Sequence, residues 1–185
     1  MIKEIIQFIK SPKSKWDEEL SSGEKLGIFF KLLFWSIFIS IALTPISAVL
    51  EELEIIDLSD HAVNDLFENM SPLIVLFAAA IIAPLLEELI FRAPLLGLRN
   101  SKHFKIWVYV FVAAFGFVHI TNFNMTPTIL LLSPLLVLPQ INLGIFASYI
   151  CVRFGYFWAV LLHGSYNFIL LGSVYLLKPF FPDIV

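Results

Sequence analysis

The chain has 185 residues, of which 59% are hydrophobic and 15% charged, with a formal net charge of −3. Ordinary soluble domains carry about 25% charged residues, so this composition excludes a soluble fold, and no basic patch points to nucleic acid. The charges are segregated along the chain, and a single cysteine, Cys151, excludes an internal disulfide and a cysteine-based zinc site.

Residues 1–10 place Ile2, Ile5, Ile6 and Ile9 at helical spacing, with Lys3, Glu4, Gln7 and Lys10 elsewhere and Phe8 outside the stripe. The pattern predicts an amphipathic helix lying in the membrane interface. Charge interrupts the stretch and no small-residue cleavage site follows, so the expectation is a retained segment and not a signal peptide. A bilayer core of about 30 Å needs about 20 apolar residues per helix, and such runs recur from Leu26 onward. The first predicted span covers 26–50. A loop over 51–71 holds Glu51, Glu52, Glu54, Asp57, Asp60, Asp65 and Glu68 without a Lys or Arg. The second span starts near Pro72 and continues past Arg92, with Pro84 as a kink, and a basic connection with Arg99, Lys102 and Lys105 follows. The third span covers 104–120, and an uncharged stretch over 121–127 turns the chain back.

Segment 128–152 is too long for a perpendicular helix and contains Pro134, Pro139, Gln140, Asn142 and Gly144. It reads as one kinked, tilted span, with two short segments as the alternative. The last span covers 156–177, between Arg153 and Lys178. The expected fold is therefore an all-α polytopic bundle of about five spans plus the interfacial helix: an N-terminal segment over 1–25 and one transmembrane domain over 26–185. Lys and Arg near span ends set orientation. With five spans, the N-terminal lysines, the loop after span two and Arg153 share one side, which predicts a cytoplasmic N-terminus, with the acidic loop and the C-terminus outside.

Ionisable residues inside a span are costly and are functional candidates by default. They are Glu87, Glu88 and Arg92 in span two, His119 in span three and His163 in span five. Glu88 and Arg92 are four apart and share a helix face, whereas Glu87 points about 100° away. Glu88 and Arg92 can thus compensate each other, leaving Glu87 as an unpaired carboxylate able to take up and return a proton. Taken alone, the three are equally well read as a structural charge cluster. Phe115 stands four residues before His119, so its ring can wall the imidazole from lipid, and by itself His119 reads as a packing residue. His163 and Asn167, again four apart, can aim two hydrogen-bonding groups at one spot, as an oxyanion hole requires, or pack polar helices together. Burying all of these groups for packing alone is needlessly costly, and their joint presence in one small bundle points to a site.

Glu87-Glu88-x-x-x-Arg92, Phe115-x-x-x-His119 and His163-x-x-x-Asn167 resemble the three ordered motifs of the CPBP intramembrane proteases. That family includes the type two CAAX prenyl endopeptidases and the Abi-type bacteriocin-immunity proteins, and the resemblance covers residues 72–177. It implies hydrolysis of a peptide bond in a membrane-associated or lipidated protein. Glu87 would activate water, His119 would help hold it, His163 with Asn167 would stabilise the oxyanion, and Glu88, Arg92 and Phe115 would support them. No cofactor is needed on a glutamate-type reading, whereas Glu87, His119 and His163 would ligate a divalent metal such as zinc on a metalloprotease reading. A non-catalytic binding or immunity protein and a proton or ion translocator are the alternative functions. At 1.5 Å per residue, Glu87 and His163 lie near the cytoplasmic edge and His119 near the outer one, which predicts a short third span and a water-filled cavity opening to the cytoplasm.

Overall fold

A computed structural model describes residues 2–16, 19–57 and 70–180, and helices joined by turns account for every regular element among them. Four of these helices are long and apolar enough to cross a membrane, or five if one bent pair counts as a span. The expected all-α polytopic bundle is therefore the observed architecture.

Helix α1 (Ile2–Lys10) forms where expected but uses a different face. Ile5 and Phe8 are buried, and Ile6 and Ile9 are exposed. Phe8 sets the rotation by packing edge-on against Tyr149 with ring centroids 5.4 Å apart. The Tyr109 hydroxyl donates to the Ile9 carbonyl at 2.6 Å, and Glu4 pairs with Arg153 at 3.1 Å. Phe8, which falls outside the isoleucine stripe, is thus the residue that docks the helix on the bundle.

Helix α2 (Ser22–Glu52) begins ahead of Leu26 because Ser21 and Glu24 form a reciprocal capping box. The Ser21 hydroxyl accepts from the Glu24 N–H, and the Glu24 carboxylate accepts the Ser21 N–H at 2.9 Å. Glu51 and Glu52 belong to its last turn. Asp60, Asp65 and Glu68 of the expected acidic loop lie outside the described residues.

Span two is broken into α3 (Pro72–Phe77), a wide π-turn (Ala78–Ile82), α4 (Ala83–Phe91) and α5 (Ala93–Gly97). Pro84 has no N–H to offer the Ala80 carbonyl, and the backbone widens in the turn just before it. Helix α6 (Phe104–Val118) runs into a 3₁₀ turn (His119–Asn122). Helices α7 (Pro127–Leu136) and α8 (Leu138–Phe154) then meet at a 41° bend, so segment 128–152 is kinked. In α8, Leu143, Gly144 and all residues from Phe146 to Val152 are buried. A helix enclosed on every face shows no amphipathic period. Gly155, at φ +107°, turns the chain into α9 (Tyr156–Leu177), using a conformation that side chains with a Cβ rarely adopt. Helices α8 and α9 pack on each other, α2 and α6 pack on α8, and the π-turn and α4 pack on α9.

Removing the Phe8 ring should undock α1. Phe8→Ala is expected to cost about 3 kcal/mol, read as a lower melting temperature in detergent with faster tryptic cleavage near Lys10, whereas Ile6→Ala should change neither.

Candidate active site

Glu87 and Glu88 come from α4, His119 from the end of α6, and His163 from α9. Glu88 and Arg92 are fully buried, with the Glu88 Oε1 3.3 Å from Arg92 Nη1. The same oxygen accepts a hydrogen bond from His163 Nδ1 at 2.8 Å. Arg92 lies over the Phe115 ring, its guanidinium carbon 3.9 Å from the centroid, a cation–π contact strengthened by desolvation. Phe115 is itself wholly buried. It meets His119, Phe91 and His163 edge-on at 4.7, 5.5 and 5.6 Å between centroids. Its ring therefore braces the cation and both imidazoles, a larger role than shielding His119 alone.

Glu87 stands apart from the ion pair. Its side chain is 28% exposed, yet its Oε2 is buried and has no hydrogen-bond partner. That atom lies 3.8 Å from His163 Nε2 and 3.9 Å from His119 Nε2. His119 Nδ1 is 2.8 Å from the Phe115 carbonyl. A carbonyl only accepts, so the proton sits on Nδ1, and Nε2 of the neutral ring presents a lone pair toward Glu87. The Glu88 carboxylate accepts from Nδ1 and orients His163, and an anion at that position lets the ring carry a second proton on Nε2. The carboxylate oxygen and both Nε2 atoms thus surround one small volume, at separations too long for direct hydrogen bonds and suited to a bridging water.

Two contacts that the sequence allows, polar helix packing by Asn167 and close approach at Gly164, tie α9 to the π-turn. The Asn167 amide donates to the Ala79 carbonyl at 2.7 Å, capping an oxygen in the π-turn. A Cβ on Gly164 would overlap the neighbouring Ala80 carbonyl oxygen, so glycine is what lets α9 approach the turn. Gly144 makes similar room in α8, where a Cβ would come within 3.1 Å of Arg92 Nη2 and 3.3 Å of the Phe115 ring. The Cys151 thiol donates to the Arg92 carbonyl at 3.7 Å and is a buried packing residue.

Phe104–Asn122 is 19 residues long and apolar enough to cross a membrane. Tyr109, not Phe104, is level with α1. His119 lies ten residues beyond it, about 15 Å along the helix, and His163 lies seven residues beyond the start of α9, about 10 Å. A polar cavity of about 800 Å³ does open at the α1 end, but its walls include none of Glu87, His119 and His163.

As it stands, the triad is wider than a tetrahedral metal site. Donors at about 2.1 Å in a tetrahedron stand roughly 3.4 Å apart, less than the 3.8 and 3.9 Å separations here. Among the described residues no group of three His, Cys, Asp or Glu is arranged to hold a metal ion.

The family model described as type II CAAX prenyl endopeptidase Rce1-like matches residues 69–169, more than half of the chain. The chain belongs to that family. It is thus a multi-pass membrane protein of an endopeptidase family, and Glu87, His119, His163 and Asn167 all fall within the matched residues. No curated protein and no solved structure matches the chain.

The tight approach of α9 to the π-turn makes a specific demand. Gly164→Ala should lower the melting temperature by several degrees, while Gly172→Ala, which meets nothing within 4 Å, should leave it unchanged.

Proposed function

We propose that this protein hydrolyses a peptide bond in a membrane-associated or lipidated protein, with water activated by Glu87. The observation that carries the reading is the convergence of the unpartnered Glu87 Oε2 with two imidazole Nε2 atoms from separate helices. A water placed about 2.8 Å from two atoms 3.8–3.9 Å apart subtends roughly 90° between them, close to the angle its own two hydrogens prefer. Such a water can donate to Glu87 and to one imidazole while turning a lone pair toward a substrate carbonyl.

In this mechanism Glu87 takes the water proton as the oxygen attacks the carbonyl carbon, and later delivers it to the departing amine. His119 holds the water. The oxyanion is met by the protonated His163 Nε2–H and by the second hydrogen of Asn167 Nδ2, the first being held by the Ala79 carbonyl. Glu88, Arg92 and Phe115 hold the imidazoles and α4 in register. No step requires a metal. The matched family's name makes a prenylated protein C-terminus the first substrate class to test. Lys15, Lys25, Arg99 and Arg153 share one end of the bundle, which supports a cytoplasmic N-terminus.

The test is cleavage of prenylated and unprenylated membrane-anchored peptides by protein reconstituted in liposomes. Glu87→Gln and His119→Ala should each lower the rate by roughly 10²–10⁴-fold with an unchanged melting temperature; full activity in both would sink the assignment. A chelator should leave the rate unchanged. Loss of activity restored by added zinc would replace the metal-free mechanism.

A further inference from the structure

The polar cavity at the α1 end, about 800 Å³, is formed between the N-terminal segment and the ends of α5 and α8. Lys15, Lys25, Arg99 and Arg153 line it, against one described carboxylate, Glu19. Asp17 and Glu18 lie outside the described residues. The two guanidinium groups are fixed in place by part of their hydrogen-bonding capacity. Arg99 Nη2 donates to the Val152 carbonyl, and Arg153 Nη1 donates to Glu4 at 3.1 Å and to the Tyr149 hydroxyl. Behind the wall, Arg99 Nε, Arg153 Nε and Trp16 Nε1 are buried and without a hydrogen-bond partner. All three are N–H donors, and none can accept. Four cations facing one described carboxylate, with no acceptor for the donors behind them, call for an anion rich in acceptor oxygens.

The rest of the wall selects the anion's source. Leu20, Leu96 and Phe154 give it an apolar side, which a free inorganic anion does not use and the glycerol and first acyl carbons of a lipid do. The cavity also lies at the ends of spanning helices, with Leu96 at the close of Pro72–Gly97 and Phe154 just before Tyr156–Leu177. Beside it, α1 turns Ile6 and Ile9 outward, and Lys13 sits 3.9 Å over the Trp16 ring, a lysine–tryptophan pairing suited to the headgroup layer. Basic pockets between transmembrane helices recognise anionic headgroups on these terms. We infer that this cavity binds the phosphate of an anionic phospholipid in the leaflet that meets α1. The lipid would join the N-terminal segment to α5 and α8, so its binding should stabilise the docked bundle.

The experiment uses detergent-purified full-length protein and follows melting temperature against short-chain phosphatidylglycerol, phosphatidylcholine with the same chains, and inorganic phosphate. Phosphatidylglycerol should raise the melting temperature saturably by several degrees, and the other two should not. Arg99→Gln and Lys15→Gln should each weaken the phosphatidylglycerol response roughly tenfold, and Lys102→Gln, a basic residue outside the wall, should not. Lys15 is exposed, so its substitution keeps the test informative even where loss of the Arg99 bond to Val152 impairs folding. Equal responses to the two lipids, an undiminished response in Lys15→Gln, or an equal shift from inorganic phosphate would overturn the assignment. Because the readout is binding, it stands or falls apart from the peptidase mechanism.

Discussion

A carboxylate and a guanidinium with no exposed surface are tolerable in an apolar bundle only if each compensates the other. Glu88 and Arg92 do so across one helical turn, and the surrounding helices are fitted to that pair. Phe115 on α6 lies against the guanidinium, Gly144 on α8 leaves room for both, Cys151 on α8 donates to the Arg92 carbonyl, and His163 on α9 donates to the Glu88 carboxylate. Four helices thus take their mutual register from one ion pair. Exchanging either partner for a neutral residue leaves a stranded charge, costing about 3–5 kcal/mol.

That arrangement frees Glu87. Its neighbour in sequence absorbs the cation and one imidazole nitrogen, so the Glu87 oxygen has only the two Nε2 atoms and open volume before it. An ion pair built for rigidity and a carboxylate built for exchange occupy adjacent positions because a helix turns them about 100° apart.

Much of this was legible in the chain. The i,i+4 spacing of Glu88 with Arg92 and the divergence of Glu87 follow from helical geometry, and segregated Lys and Arg residues marked the basic end. Other features depend on contacts between distant segments that no local period encodes. The level of His119 is set by the Tyr109 hydroxyl on α1, a hundred positions away in the chain. Phe8 looked like a flaw in a stripe because a helix held between a bundle and lipid has two apolar partners, not one. The burial of α8 on all faces erased the amphipathic signal that would have named it the central helix. The Ser21–Glu24 capping box, by contrast, is a local signal that the expected start at Leu26 overlooked, and it begins α2 at Ser22.

The π-turn over Ala78–Ile82 has a further consequence for how this span tolerates change. A π-turn carries one residue more than an α-turn, so everything after it is offset by about 100° from where an unbroken helix would put it. Deleting a single alanine there could restore an uninterrupted helix that is still apolar and still long enough to span. Its carboxylates would be rotated off α9, and the position facing the imidazoles would pass to another residue. The span behaves as a counted length, in which an insertion or deletion is felt as rotation: a frame that admits substitutions more readily than changes in number.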